Sequence, residues 1–237
     1  MYFIFRYAKL LFVVLRLHVF LNWLSIVFLN LYYLTKFSVW VSKNRKIAHN
    51  DFPCKFDYEK RYGFYKWVLD NNGLSTSPIN YIEFGVAQGT SFRWLIQQNT
   101  HPESRFYGFD TFTGLPEDFG PYKKGTFNNQ SAPPDVADER AKFYQGLFQQ
   151  TLSGFLTELN NGRRNFILMD ADLYSATIYI LTKFAPYLKK GDIIIFDEFS
   201  VPTHEFKAYY DFVQSYYINL ELIAAANNYY FVAFKVV

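Results

Sequence analysis

Apolar and polar positions divide the chain near residue 50. In the first part, "LHVFLNWLSIVFLNLYYLT" (residues 17–35) runs without Lys, Arg, Asp or Glu, and a helix of that length would measure about 28 Å, just enough to span a bilayer. In the second part, short β-rich runs alternate with stretches of helical spacing. "INYIEFG" precedes "SFRWLIQQN", "RFYGFD" follows, and "KFYQGLF" leads to "TLSGFLTELN". "NFILMD" then leads to "ATIYILTKFAPYL", and "DIIIFDEF" to "EFKAYYDFVQSY". This predicts a doubly wound α/β fold with five parallel strands and helices on both faces. The final runs "NLELIAAA" and "YYFVAFKVV", separated by "NN", predict an antiparallel hairpin that brings the sheet to seven strands.

The punctuation supports two regions, a 1–50 N-terminal segment and a 51–237 domain. "DFPCKF" reads as the linker, and "DYEKRYGFYKWVLDNN" as a helix ending before Gly73. The polar, Gly/Pro/Asn-rich stretch from Gly114 to Arg140 has the length and composition of a lid over a binding site.

Charge sharpens the division. Residues 1–50 contain seven Lys or Arg and no acid, so removing them from the net +3 leaves the remainder at −4. Nucleic acid is therefore excluded as a partner of the main domain. Basic residues from Lys36 to Lys46 follow the apolar run, which favours a cytoplasmic C-terminal side. His18, Asn22 and Ser25 share one helical face, so a helix lying in the membrane interface is as open as a span. Either way, membrane contact through residues 1–45 is expected, with the protein at the inner face; a buried packing helix is the alternative. No small-residue cleavage site marks a secretory signal. Cys54 is the single cysteine, which excludes an intrachain disulfide and a Cys-based zinc site.

The candidate chemistry lies at the strand ends, where doubly wound sheets bind ligands. After the first strand of the domain, Gly85 and Gly89 permit a tight turn close to a ligand, and Thr90 and Ser91 open the next helix. No lysine follows to grip a triphosphate, and Glu83 stands nearby. A donor that is cationic at its reactive end and carries ribose hydroxyls fits better, and S-adenosylmethionine is such a molecule. Asp110, 27 residues after Glu83 and at the end of the next strand, is placed to accept the ribose hydroxyls. Two further runs end in carboxylates, Asp170 in "FILMDAD" and Asp197 with Glu198 in "IIIFDEF". On neighbouring strands these would crowd, and oxygen ligands of this kind suit Mg²⁺. Bound Mg²⁺ would activate an acceptor hydroxyl, with Asp170 as general base. Asp172 reads as the N-cap of the following helix, and His204 as a surface residue.

"IEFGVAQGTSF", "GFDTFTGLPEDF", "GLFQQTL", "MDADLYSAT" and "GDIIIFDEF", in this order, resemble the TylF/MycF type of macrocin and mycinamicin sugar O-methyltransferases. The resemblance covers residues 78–215 and implies a class I, Rossmann-like methyltransferase fold. It further implies Mg²⁺-dependent methyl transfer to a sugar hydroxyl within a homo-oligomer, with Asp170 as metal ligand and base, and Asp197 and Glu198 completing the site. Glu198 departs from the family's second aspartate. The apolar N-terminus is a further departure, and suggests a lipid-linked or membrane-proximal glycan. A catechol-like O-methyltransferase would place a lysine at Leu173. A scaffold with a spent site would have no reason to keep Glu83, Asp110, Asp170 and Asp197 together.

Overall fold

The apolar runs of the second part assemble into one eight-stranded sheet. The computed structural model describes residues 2–160 and 162–237; Met1, the first residue of the 1–50 segment, lies outside them. Two helices, α1 (Tyr2–Val14) and α2 (His18–Lys43), lead to a two-residue strand β1 (His49–Asn50) and helix α3 (Lys60–Asn71). Next come β2 (Ile79–Phe84), α4 (Thr90–Gln98), β3 (Arg105–Asp110), β4 (Ala141–Gln145), α5 (Phe148–Glu158) and β5 (Arg164–Met169). The chain finishes with α6 (Tyr174–Phe184), β6 (Ile193–Phe196), α7 (Glu205–Tyr216), β7 (Leu220–Ala226) and β8 (Phe231–Val236).

The sheet order is β1-β7-β8-β6-β5-β2-β3-β4. Strands β2 to β6 pair in parallel, and β8 runs antiparallel between β6 and β7. The five parallel strands and closing hairpin are thus as the apolar pattern predicts. The eighth strand is β1, parallel to β7; two residues, His-Asn, carry no periodicity that could announce it. Strands β2 and β6 are buried throughout, as central parallel strands covered on both faces must be.

Period-two alternation sends side chains to two cores. Ile82 and Phe84 join a cluster with residues of α5, α6 and α7, whereas Ile79 and Tyr81 join one with α3 and α4. Strand order reverses between β2 and β5, because β3 and β4 lie to one side of β2 while β5 and β6 lie to the other.

The N-terminal part holds two helices where the apolar run predicts one, with Arg16 at φ 48° between them. Helix α2 continues past Thr35 because its C-terminal third finds protein to pack on. Tyr33 and Val41 are buried, and the Trp40 ring lies 5.0 Å from Phe199 while Phe37 lies 5.2 Å from Phe206. Upstream, Phe20, Trp23 and Phe28 are 70%, 66% and 64% exposed, so no part of the described chain covers them. By length and composition α2 could cross a membrane. The division near residue 50 is therefore no open linker: the end of α2 and β1 are part of the domain's core and sheet.

Candidate active site

Register brings the strand ends level. Phe84 is paired with Phe109 and with Met169, and Met169 with Phe196. The residues that follow these four, Gly85, Asp110, Asp170 and Asp197, therefore form a row across the C-terminal edge. Backbone bonds extend one step past the strands to hold it: Gly85 N–H to Phe109 C=O at 2.9 Å, Asp170 N–H to Phe84 C=O at 2.9 Å, and Asp197 N–H to Met169 C=O at 3.0 Å. Above the row opens a cavity of about 630 Å³, within the roughly 300–1,000 Å³ of cofactor and small-molecule clefts. It sits at the reversal of strand order, where doubly wound sheets place ligands.

Gly85 has φ 95°, and a Cβ there would come within 1.7 Å of the Asp170 carbonyl oxygen. Only glycine lets the β2 loop lie against the end of β5. Gly89 has φ 74° and precedes α4; its Cβ would meet Pro134 at 2.7 Å, so it admits the long segment instead of lining the cavity. Thr90, Ser91 and Asp110 do line it. The Asp110 carboxylate accepts the N–H groups of Ala87 and Phe112, each at 2.7 Å, and so ties the glycine loop to the end of β3.

Glu83 is placed differently from the sequence expectation. Alternation puts it on the Tyr81 face beneath α4, fully buried and away from the cavity lining. It accepts hydrogen bonds from Tyr81 Oη and Ser91 Oγ, both at 2.5 Å. Burial raises its carboxyl to about 7, against the lowering pull of Ser91 and Tyr81. Its contact with the cavity is indirect, through the Ser91 hydroxyl that it holds.

The expected metal ligands do not form a metal cluster. Asp197 is fully buried, and its Oδ2 accepts from the Arg61 guanidinium and from Tyr58 Oη at 3.3 Å, while Oδ1 accepts from Tyr65 Oη. Glu198 accepts from Tyr230 Oη and turns its backbone N–H to Glu205 at 3.0 Å. Asp170 lines the cavity with Arg61 Nη2 4.0 Å from its Oδ2. Among the described residues no group of three or more His, Cys, Asp or Glu side chains could hold a metal ion. The donor set therefore does not fit Mg²⁺: a guanidinium stands between the two aspartates, and one oxygen of Glu198, which lines the same cavity, is taken by Tyr230.

Arg61 was not legible as a site residue from motifs, since it lies in α3, outside every strand-end segment. One signal did exist. Positions 61, 64, 65, 68 and 69 form the buried stripe of α3, and a charge at one of them asks for a buried partner. Its guanidinium lies 3.9 Å from the centroid of the Tyr58 ring, and Arg61 is the sole cationic side chain lining the cavity among the described residues.

Burial, then the charge of Asp197, pushes the Asp170 carboxyl well above the ordinary range, with Arg61 acting against them. Asp172 is not the N-cap of α6: that place falls to Leu173, while Asp172 has φ 58° and lines the cavity. Burial followed by the charge of Glu198 raises Asp172 to about 7. His204 is half-buried, its Nδ1 accepting the Tyr174 N–H at 3.3 Å with Phe119 edge-on at 4.8 Å. It braces the start of α6 and is not among the residues lining the cavity.

The segment from Gly114 to Arg140 is folded over the strand ends. Leu115 and Phe119 are buried, Leu115 exchanges 2.9 Å backbone bonds with Thr126 and Gly125, and Glu117 accepts from Ser175 Oγ at 2.8 Å.

Residues 82–199 match a family described as a methyltransferase domain. No curated protein matches the sequence. Among solved structures, the calicheamicin methyltransferase CalS11 superposes with TM-score 0.57 at 23% identity, over 76% of this chain and 78% of that one. The O-methyltransferase NovP gives TM-score 0.57 at 21% identity, over 76% and 79%. An apo structure of CalS11, described as a TDP-rhamnose 3'-O-methyltransferase, gives 0.54 at 21%, over 76% and 81%. At these identities the likeness is one of fold, and it agrees with the architecture the apolar pattern predicts. Residues 82–199 thus match a methyltransferase-domain family, within a chain whose fold is that of the O-methyltransferases CalS11 and NovP.

Proposed function

We propose that the protein transfers a methyl group from S-adenosylmethionine to a hydroxyl of a sugar or glycan, with Asp170 as general base. The observation that carries this reading is the row Gly85, Asp110 and Asp170 along one cavity. The glycine loop and the start of α4 would hold the methionine end of the donor, and Asp110 its ribose. Asp170 lines the cavity beside Arg61, where its carboxylate can receive the proton of an acceptor hydroxyl. In the transfer the acceptor oxygen bonds to the methyl carbon as the carbon–sulfur bond breaks. The electron pair of that bond goes to sulfur, and the hydroxyl proton goes to Asp170. A sugar acceptor is favoured because CalS11 is described as acting on TDP-rhamnose and because the sequence segments resemble the TylF/MycF type. The catechol-like alternative lacks its lysine, since Leu173 is buried and no lysine lines the cavity among the described residues.

Membrane attachment through α1 and α2 belongs to the same reading. The exposed apolar side chains of α2 would sit in lipid while its last turns stay fixed to the domain, so the acceptor would be lipid-linked or close to the membrane surface. Calorimetry of the full chain in detergent with S-adenosylmethionine, with Asp110→Ala beside it, tests the donor site. Loss of a hydrogen-bonded carboxylate costs roughly 1.5–3 kcal/mol, so affinity should fall by at least about tenfold. Equal affinity in the two proteins would sink the assignment.

A further inference from the structure

Arg61 stands where metal-assisted transfer would need a divalent ion. Its guanidinium donates to the fully buried Asp197 and lies 4.0 Å from Asp170. Tyr58 and Tyr65 complete the shell of Asp197, so no oxygen of that carboxylate remains without a donor. Mg²⁺ demands near-octahedral oxygen ligation at about 2.1 Å, and to provide it Asp197 would have to give up these bonds. An arginine, in contrast, is charged at every relevant pH and presents a rigid planar fork to carboxylates. Held by α3 and stacked on Tyr58, it is fixed before any ligand arrives.

We propose that Arg61 is the site's built-in cation, a positioning residue that compensates Asp197 and sets the orientation of Asp170 without a divalent metal. The inference rests on the methyl-transfer reading for its chemistry, but not for its test. With Arg61 in place, the charges of Asp170 and Asp197 meet one fixed positive group, and the base faces the acceptor hydroxyl from a defined position. Proton transfer then needs Asp170 alone, and no ligand exchange at a metal accompanies turnover.

The test uses Mn²⁺ as the probe, because its paramagnetic resonance signal is lost on binding. Full-length wild type, Arg61→Ala and Arg61→Lys would be titrated in detergent with S-adenosylhomocysteine present. Wild type and Arg61→Lys, which keeps a cation in place, should bind no Mn²⁺. Arg61→Ala should bind one ion, and its melting temperature should rise with added Mn²⁺. A purely structural role for Arg61 would lower stability in the variants without creating a metal site. One Mn²⁺ bound by wild type would overturn the proposal, and so would a failure of Arg61→Ala to bind any. Should Arg61→Ala not fold alone, Arg61→Gln, which removes the charge and keeps a polar head, takes its place under the same criteria. Binding of S-adenosylhomocysteine to wild type, measured by calorimetry in the same samples, reports on the methyl-transfer reading separately. Its absence would sink that reading without touching the metal result.

Discussion

Replacing Glu83 by Gln should change how stability depends on pH. Glu83 is fully buried between Tyr81 and Ser91, and burial raises it from 4.5 to about 7. Below about pH 4.5 folded and unfolded chains both carry the proton. Between there and about pH 7 the unfolded chain releases it while the folded chain retains it, so stability falls as pH rises through this window. A shift of that size corresponds to about 3 kcal/mol. Gln carries no titrating proton, and its amide can still meet both hydroxyls, since each of them also accepts. Wild type and Glu83→Gln should therefore be of similar stability near pH 4.5, with the variant ahead by about 3 kcal/mol at pH 8. For a chain of this size that is on the order of 6–12 °C in melting temperature. Thermal denaturation of both proteins across that range is the assay. The other raised carboxyls, Asp170, Asp172, Asp192, Asp197, Glu198 and Glu205, tilt both curves alike, so only the difference between the proteins is read. Parallel curves would refute the reasoning, and would mean that Glu83 is ionised in the folded chain at an ordinary pH.

Gly85→Ala should cost more than about 2 kcal/mol, because φ 95° is strained for any side chain and its Cβ would overlap the Asp170 carbonyl; a melting temperature within a degree or two of wild type would contradict this. The Gly114–Arg140 segment should become more resistant to limited proteolysis when S-adenosylmethionine is present, since it borders the cavity at Gly114, Leu115, Pro116 and Glu117. Unchanged cleavage would remove it as a lid. After lysis without detergent the full chain should sediment with membranes, held by α1 and the exposed part of α2; recovery in the supernatant would exclude attachment. Trp40→Ala should loosen α2 from the domain and lower stability by about 3–5 kcal/mol, because the ring packs on Phe199, Tyr229 and Phe234; a denaturation midpoint like that of wild type would count against that packing.

Much of the sheet could be read from the chain because buried parallel strands have few alternatives. "FILMD" and "IIIFD" are nearly unbroken apolar runs that end in a charge, and that end marks the strand terminus; Asp170 there faces the cavity, whereas Asp197 is buried against Arg61 and Tyr65. Glu83 shows the limit of the same rule. It is one step from the end of "INYIEF", and a single residue decides between cavity and core. The metal expectation failed for another reason: spacing places Asp170 and Asp197 side by side, but it does not reveal what lies between them. Arg61 comes from a helix more than a hundred residues earlier in the chain, and only packing brings the two together. Strand β1 was equally hidden, because its two residues pair through backbone groups that any sequence has.

The contact between Gly85 and the Asp170 carbonyl joins the glycine loop proposed for the donor and the proposed base into one rigid piece of backbone. Neither backbone can shift without the other, so under the proposed reading the donor loop and the backbone that carries the base would keep one spacing whatever occupies the rest of the cavity. Acceptor choice is then left to parts that can vary independently, above all the 114–140 segment. Exchanging that segment alone should redirect the protein to another hydroxyl while the transfer chemistry stays intact, which makes it the natural place for divergence among proteins of this fold.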